Sequence, residues 1–413
     1  MTDQIARRIV FRLLSAIHDE RIDLIDSGRY FSFGDPEAEL RATLHVHRPR
    51  FYRQMLRGSV GLAEAYMEQD WDTDDLVALT RIGARNMGRM DALRRAWHPV
   101  LHRAQRVADM VPHNDLAGSK RNIAAHYDLG NQLFSLFLDP TMMYSCAYFE
   151  APDQSLEDAQ RAKLDRACRA LDLGPDDHLL EIGTGWGAMA IHAAENYGCR
   201  VTTTTISREQ HAYTLEQVLD RGLQDQITVL LEDYRDLDGT YDKLVSLEMI
   251  EAVGWQYFPT YFDHCSRLLA PDGLMFIQAI TIDERAYEVE KASKSFINTH
   301  IFPGGCLPSL EIIHRCLRDK TDMTTVWMDD ITPHYSETLK RWRETFVASA
   351  ELAAELGYDR AFRRMWELYL AYVEAGFRER RIMDVHLLFA KPEWRGELVP
   401  GLAAERAPRD LVK

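Results

Sequence analysis

The chain has 413 residues, of which 46% are hydrophobic and 27% charged, a composition typical of soluble globular proteins with two or three domains. Its 49 Lys and Arg residues against 64 Asp and Glu give a net charge of −15, which argues against a nucleic-acid-binding protein. Six cysteines without a Cys-x-x-Cys pair indicate reduced thiols and no metal site. With no signal peptide and no apolar run long enough to cross a bilayer, the sequence predicts a cytoplasmic protein.

Residues 1–118 are predicted to form a smaller, mainly helical N-terminal domain, with extended pieces at Tyr30–Phe33 and Ala42–Val46. The most informative helix is expected at Asp75–Arg95, where apolar residues fall on one arc and arginines on the opposite one. This basic face has two interpretations: a solvated helix face, or a surface that contacts anionic lipid head groups. The arginines concerned are Arg81, Arg85 and Arg89.

A turn-rich segment at Pro112–Gly118 predicts the boundary to a second domain, residues 119–393. There, short apolar runs alternate with amphipathic helical patterns, which is typical of an α/β fold with a doubly wound, Rossmann-like parallel sheet. Ligands of such sheets bind beyond the carboxyl ends of the strands. Residues 394–413, which are rich in Gly, Pro and charged residues, are predicted to form a disordered tail. Strands are predicted at His178–Ile182, Arg200–Ile206, Ile227–Leu231, Lys243–Leu247 and Leu274–Ile280, with a last one at Val385–Ala390.

A glycine-rich turn follows the first of these strands and precedes a helical pattern. Gly183, Gly185 and Gly187 alternate there, and glycine permits both positive φ and a close approach of the backbone to a nucleotide-like ligand. The pattern also fits a dinucleotide fingerprint, but that fingerprint needs an acid about 20 residues further on. The chain reads VTTTTIS at that point, with no acid before Glu209, while Glu181 precedes the first glycine. This form resembles motif I of class I S-adenosylmethionine (SAM) methyltransferases.

Segments along most of the chain resemble the cyclopropane fatty acid synthase family, which includes the mycolic acid cyclopropane synthases. The likeness covers roughly residues 40–392, and its N-terminal part resembles the full-length phospholipid enzymes. The matching segments are GSVGLAEAYMEQDW at 58–71, HYDLGN at 126–131, MYSCAYF at 143–149, EIGTGWG at 181–187, TISREQ at 205–210, EDYRDL at 232–237, MIEAVG at 249–254 and IFPGGCLPS at 301–309.

The resemblance implies transfer of a methylene group from SAM to the cis double bond of unsaturated acyl chains in membrane phospholipids, giving cyclopropane fatty acids. It also implies a homodimer that contacts the inner face of the cell membrane peripherally through its N-terminal domain. A bound bicarbonate would serve as base, held by Cys146, Glu251, Gln278, Ile280 and Tyr335. SAM would be bound by Tyr144, Ser145, Glu181, Gly183, Gly185, Thr205, Ile206, Gln210, Asp233 and Tyr234.

The sequence departs from the family at the base. Gln278 stands where the family has His, and Ala252 replaces a second His that commonly follows Glu251. A glutamine amide can donate a hydrogen bond to bicarbonate but cannot titrate, so ring closure is less well supported than methyl transfer. Two alternatives therefore stay open: an enzyme that gives methyl- or methylene-branched fatty acids from the same lipids, and a non-catalytic module that binds lipid or SAM.

Overall fold

The computed structural model describes residues 2–87, 130–291 and 293–397. Within these ranges the chain forms two compact units. The first contains the described N-terminal residues together with Glu288–Ile301 and Leu339–Arg381, and the second contains the remaining described residues. Two segments of the predicted catalytic domain thus group with the N-terminal residues. The boundary predicted at residue 118 lies outside the described ranges and stays a prediction.

The first unit contains a four-stranded sheet besides its helices. Its strands are β1 (Arg21–Asp26), β2 (Arg29–Gly34), β3 (Arg41–Val46) and β4 (Trp71–Thr73), in the order β2-β1-β3-β4. The extended pieces predicted from the sequence lie in β2 and β3, whereas β1 and β4 were not predicted. The helices are Asp3–Leu14, Phe51–Met55, Gly58–Met67, residues 76–87, Ala350–Glu355 and Arg360–Arg378, with a π-helical turn at Ile297–Ile301. The helix Glu284–Glu290 begins in the second unit and ends in the first.

The N-terminal helix, Asp3–Leu14, packs one face against the sheet. The side chain of Thr2 caps its start by accepting a hydrogen bond from the backbone nitrogen of Ile5. Phe11 contacts Phe31 edge to face, with ring centroids 5.0 Å apart, and the Arg7 guanidinium lies 4.1 Å from the centroid of Phe11. The helix is therefore fixed on its inner side by aromatic packing.

Two of the arginines on the predicted basic face form ion pairs inside the first unit. Arg81 and Arg85 both donate to the carboxylate of Glu379, at 2.6 and 2.5 Å. Their charges are therefore compensated by an acid, which favours a structural role for these two side chains over contact with lipid. Arg89, like most of the other basic residues up to position 121, lies outside the described residues.

The second unit is built on a seven-stranded, mostly parallel sheet with the order β10-β11-β9-β8-β5-β6-β7. The five predicted strands appear as β5 (His178–Ile182), β6 (Arg200–Thr204), β7 (Ile227–Leu230), β8 (Tyr241–Leu247) and β9 (Leu269–Ile282). They pair in parallel, which confirms the predicted α/β, doubly wound fold. Two further strands, β10 (Thr324–Asp330) and β11 (Ile382–Ala390), pair antiparallel at one edge, and β10 was not predicted.

Helices cover the sheet of the second unit and enclose two apolar clusters built on its buried strands. None of the helices in the described ranges is long and apolar enough to cross a membrane. The helices are Asn131–Phe134, Leu156–Ala170, Ala188–Tyr197, Arg208–Asp220, Ile250–Val253, Phe258–Leu268 and Leu310–Lys320, with a 3₁₀ turn at Tyr234–Asp236; the helix Thr332–Ala348 begins in this unit and continues into the first.

Candidate active site

The glycine turn after β5 adopts the backbone conformation that the sequence predicts. Gly183, Gly185 and Gly187 have φ angles of +100°, +53° and +90°, which side chains strongly disfavour. A Cβ at Gly187 would lie 2.7 Å from the side chain of Thr214, so this glycine permits close packing of two helices. A Cβ at Gly185 would meet nothing within 4 Å, which leaves open space over the turn for a ligand.

Glu181 lies at the end of β5, directly below this turn. Its side chain is buried and accepts a hydrogen bond from the Thr203 hydroxyl at 2.6 Å, and that hydroxyl is also 2.7 Å from the hydroxyl of Thr184. Burial raises the pKa of Glu181 to about 8, since no cation lies beside it in the described structure. A cationic ligand group placed here would favour the charged carboxylate.

The remaining residues predicted to bind SAM lie along the same rim of the sheet. The Thr205 hydroxyl donates to the side-chain oxygen of Gln210 at 2.9 Å, in the turn after β6 that also contains Ile206. Asp233 is buried and its carboxylate pairs with Arg235 at 2.7 Å, so it is already compensated. Tyr234 follows in a 3₁₀ turn beyond β7.

An aromatic group surrounds Tyr144 in the loop before the helix Leu156–Ala170. The Tyr144 ring lies 5.2 Å from Phe134, 6.1 Å from Phe137 and 6.4 Å from Phe302, measured between ring centroids. The next residue, Ser145, is buried, and its hydroxyl accepts a hydrogen bond from Nζ of Lys163 at 2.6 Å. The loop therefore places an aromatic side chain, Tyr144, in an apolar group and the next side chain, Ser145, in a polar one.

Glu248, at the carboxyl end of β8, is the centre of the polar side. Its Oε1 accepts hydrogen bonds from the backbone nitrogen of Cys146 at 2.7 Å and from the Gln278 amide at 2.5 Å. Its Oε2 accepts one from the Tyr335 hydroxyl at 2.5 Å. Glu248 has a φ of +49°, a left-handed conformation that costs about 1–3 kcal/mol in a residue other than glycine. The backbone of Glu248 is thus strained where its side chain meets three donors.

Gln278 is buried in β9 and joins two carboxylates. Its Nε2 lies 2.5 Å from Glu248 and also donates to Oδ2 of Asp384 at 3.1 Å, while its Oε1 accepts from Nε2 of His386 at 3.1 Å. Burial and the neighbouring acids Glu248 and Glu251 raise the pKa of Asp384 well above its ordinary value. Burial likewise depresses the pKa of His386, which is therefore neutral.

Glu251 and Cys146 complete the set. Oε1 of Glu251 accepts from the backbone nitrogen of Ile280 at 2.5 Å, and its Oε2 is shielded from solvent without a hydrogen-bond partner in the described ranges. Burial, with Glu248 nearby, raises the pKa of Glu251 to about 8. Cys146 is buried, its thiol donates to the carbonyl of Ala147 at 3.1 Å, and burial raises the pKa of this thiol well above the usual range.

The five residues predicted to hold bicarbonate are thus brought together, but their donors are already bound to the protein's own carboxylates. The backbone nitrogen of Cys146, the Gln278 amide and the Tyr335 hydroxyl all donate to Glu248. A bound bicarbonate would compete with the carboxylate of Glu248 for these donors and add a negative charge beside it, which costs several kcal/mol unless it is compensated. The residues present therefore do not fit bicarbonate.

SAM, in contrast, fits the other part of the site. The turn at Gly185 leaves open space above the backbone, and Glu181 offers a carboxyl for a cationic group beneath it. The two parts adjoin, because a Cβ on Gly183 would lie 3.0 Å from the side chain of Met249, the residue after Glu248. A ligand over the turn would therefore lie close to the polar cluster.

Several residues of the site were not identified from the sequence. The sequence motifs assign no role to Glu248, Asp384, His386 or Lys163. Asp384 and His386 interrupt an otherwise apolar strand, IMDVHLLFA, and a polar residue in a buried strand is a usable signal. Lys163 lies on the buried face of the helix Leu156–Ala170. Its spacing from the apolar residues of that helix is a weaker signal, because a lysine at such a position usually extends to solvent.

Comparison with known proteins agrees with this geometry. The model of the family described as "Mycolic acid cyclopropane synthetase" matches residues 115–387. Tuberculostearic acid methyltransferase UfaA1 of Mycobacterium tuberculosis is 38% identical over 384 residues, which cover 91% of this chain and 88% of that protein. Cyclopropane-fatty-acyl-phospholipid synthase of Escherichia coli K12 is 35% identical over 360 residues, covering 85% and 88%.

The structural neighbours agree as well. Mycolic acid cyclopropane synthase CmaA1, solved with S-adenosylhomocysteine (SAH) and CTAB, is 34% identical with a TM-score of 0.61, covering 66% of this chain and 98% of that one. Cyclopropane synthase MmaA2 from M. tuberculosis is 32% identical with a TM-score of 0.62, covering 68% and 100%.

The likeness to these structures and relatives, together with the seven-stranded sheet and its glycine turn, defines a SAM-dependent methyltransferase. The part of the chain that matches the family model, residues 115–387, includes most of the second unit. The chain belongs to the mycolic acid cyclopropane synthetase family, whose members include cyclopropane-fatty-acyl-phospholipid synthases.

Proposed function

We propose that this enzyme transfers a one-carbon group from SAM to the cis double bond of an unsaturated acyl chain in a membrane phospholipid and closes a cyclopropane ring. The observation that carries this proposal is the position of the polar cluster around Glu248 beside the glycine turn. This position puts a set of acids next to the place where a SAM methyl would lie. The name of the E. coli relative, cyclopropane-fatty-acyl-phospholipid synthase, supports the same lipid chemistry.

SAM supplies an electrophilic methyl group on a sulfonium. An alkene is a weak nucleophile, so the chain's own contribution is to hold the double bond in line with that methyl. A carbocation follows methylation, and the aromatic group of Tyr144, Phe134, Phe137 and Phe302 would exclude water and present ring faces to it. Ring closure then needs a base for one proton of the added methyl group.

The test is product analysis with purified enzyme, labelled SAM and vesicles of cis-unsaturated phospholipid. We expect an acyl chain one CH₂ heavier that resists ozonolysis, since a cyclopropane has no double bond to cleave. Vesicles of fully saturated phospholipid serve as control and should give no product. Failure to bind SAM in a calorimetric titration, or no heavier product from any cis-unsaturated lipid, would overturn the proposal.

A second candidate is supported by the 38% identical relative, which is named a tuberculostearic acid methyltransferase, and by Gln278 in place of the family's His. In this outcome the cation loses a proton to give a methylene branch. The product has the same mass as the cyclopropane but is cleaved by ozonolysis, so the same assay separates the two.

We further propose that the first unit contacts the cytoplasmic face of the membrane through the outer side of the helix Asp3–Leu14. Ile5, Ile9 and Leu13 recur every four residues there and are 50%, 40% and 48% exposed. Arg8 and Arg12, both exposed, flank this stripe. An apolar stripe with arginines beside it matches the interface of a bilayer that contains anionic phospholipid.

Vesicle sedimentation tests this surface. The double variant Ile5→Glu/Leu13→Glu should lose binding to phosphatidylglycerol vesicles and keep its thermal stability, because both side chains are exposed. Leu219→Glu, an equally drastic change at a 63% exposed position of the second unit, is the matched control. The predicted homodimer is examined in the same samples by ultracentrifugation. The membrane contact would be refuted by a double variant that binds vesicles like the wild type, whether it remains a dimer or dissociates into monomers.

A further inference from the structure

Glu248 accepts hydrogen bonds from three residues that the resemblance assigns to bicarbonate. The backbone nitrogen of Cys146, the amide of Gln278 and the hydroxyl of Tyr335 all lie 2.5–2.7 Å from its carboxylate. These are groups that the resemblance assigned to bicarbonate. In this chain a side chain of the protein makes the contacts that a diffusible anion was expected to make.

In the described ranges, three N–H and O–H groups of the protein donate to this carboxylate, and the carboxyl group of Asp384 also lies within hydrogen-bonding reach of it. Two donors bind Oε1 and one binds Oε2, whereas a carboxylate offers about four lone-pair positions. Glu248 is half-buried, in contrast to the fully buried Gln278, so its side chain is not sealed within the core. Oε2 accepts a hydrogen bond from the Tyr335 hydroxyl, whereas Oε1 accepts two, so Oε2 is the oxygen better able to receive a proton.

The charges around Glu248 favour its ionised form over that of its neighbour. Burial raises the pKa of Glu248, and this rise is opposed by Tyr335, the Cys146 backbone, Lys163 and Gln278. Asp384, which shares the amide of Gln278, is instead driven well above its ordinary pKa by burial and by Glu248 and Glu251. Of the two acids, Glu248 therefore has the lower pKa and loses its proton first.

We propose that the carboxylate of Glu248 replaces bicarbonate as the base of this enzyme. The inference rests on the proposed function and concerns its last step. The alkene π pair forms the bond to the methyl carbon, and the electrons of the carbon–sulfur bond remain on sulfur. One C–H bond of the added methyl then breaks, its electrons close the ring onto the cation, and its proton moves to Oε2 of Glu248. No external anion takes part.

The first experiment measures product formation by wild-type enzyme in carbon-dioxide-depleted buffer and in buffer with added bicarbonate. The rates should agree within about twofold, and ¹³C-bicarbonate should show no binding by NMR. Glu248→Gln keeps the shape but cannot accept a proton, and should lose about 100-fold or more in rate, the usual contribution of a general base. Glu216→Gln, at an exposed position of the helix Arg208–Asp220, is the matched control and should behave like the wild type.

The second experiment uses Glu248→Gly. Glycine accepts the φ of +49° without strain, so this variant should fold and bind SAM normally. It also frees three donors and the space of the side chain. We expect it to bind ¹³C-bicarbonate and to recover at least about tenfold in rate when bicarbonate is added.

A wild-type enzyme that requires bicarbonate, or a Glu248→Gln variant with full activity, would overturn the proposal. So would a Glu248→Gly variant that stays fully active in depleted buffer. Failure of the proposed function looks different, because wild-type enzyme would then give no heavier lipid under either condition.

Discussion

The Tyr335 hydroxyl lies 2.5 Å from Oε2 of Glu248, although 87 residues separate the two in the chain. Tyr335 lies near the start of the helix Thr332–Ala348, and Glu248 follows directly after β8. The bond fixes one oxygen of the carboxylate and lowers the pKa of Glu248 against the effect of burial. The acidity of the proposed base thus depends on a helix that belongs to a different part of the sequence.

Tyr335→Phe should therefore move the acidic limb of the pH–rate profile to higher pH. Loss of a hydrogen bond to a charged group is worth about 1.5–3 kcal/mol, or about one to two pKa units. Below the pKa values of both enzymes, the variant should be about 10- to 100-fold slower than the wild type, and it should approach the wild-type rate at high pH. The measurement is kcat/KM against pH with cis-unsaturated vesicles. Tyr30→Phe, at an exposed tyrosine of the first unit, is the control, and an unshifted limb in Tyr335→Phe would contradict the prediction.

Lys163→Met should shift the same limb in the same direction. Lys163 is fully buried, its Nζ donates to Ser145 at 2.6 Å, and its charge lowers the pKa of Glu248. Burial lowers the pKa of Lys163 itself to about 8, so it is cationic at neutral pH and compensates the acids there. SAM affinity, measured by calorimetry, should change less than twofold, and the exposed Lys320→Met is the matched variant. An equal loss of rate at every pH would indicate a structural role instead.

The ligand-free protein should lose stability as the pH rises from about 4.5 to 8. Burial raises the pKa of Glu181 from 4.5 to about 8 in the folded state, so the folded state binds more protons than the unfolded state in this window. The stabilising contribution is complete below the unfolded pKa and disappears as the pH passes the folded one. Glu181→Gln, which cannot titrate, should flatten this slope in urea denaturation at a series of pH values. Glu216→Gln should keep the wild-type slope.

Substitutions of two glycines in the turn should have different consequences. A Cβ at Gly187 would overlap Thr214 at 2.7 Å, so Gly187→Ala should destabilise the fold by about 1–3 kcal/mol. A Cβ at Gly185 would enter open space, so Gly185→Ala should cost only about 1 kcal/mol of backbone strain but should weaken SAM binding at least tenfold. Thermal unfolding and calorimetric titration measure the two effects. Equal losses of SAM affinity in both variants would show that the space over Gly185 does not hold the ligand.

Local sequence patterns were sufficient to predict the elements whose structure depends on residues close together in the chain. The strands β5 to β9 follow from apolar runs that alternate with helical periods, and the glycine turn follows from spacing alone. The strand β10 escaped prediction because its sequence, TTVWMDD, is mostly exposed or half-buried and lacks a clear alternation. The N-terminal sheet was predicted only in part, since β1 carries Arg and Asp residues on its more exposed face.

The sequence by itself determined the class of enzyme, the parallel sheet and part of the polar cluster, namely Cys146, Gln278 and Tyr335, because all of these depend on short motifs in order. Only the tertiary structure decided what those residues bind. The donors to Glu248 come from positions 102, 30 and 87 residues away, and no local pattern reports which acceptor they share. Glu248, whose backbone is left-handed at the end of β8, reaches all three donors with its carboxylate. Only the three-dimensional structure shows that Glu248 is the acceptor they share.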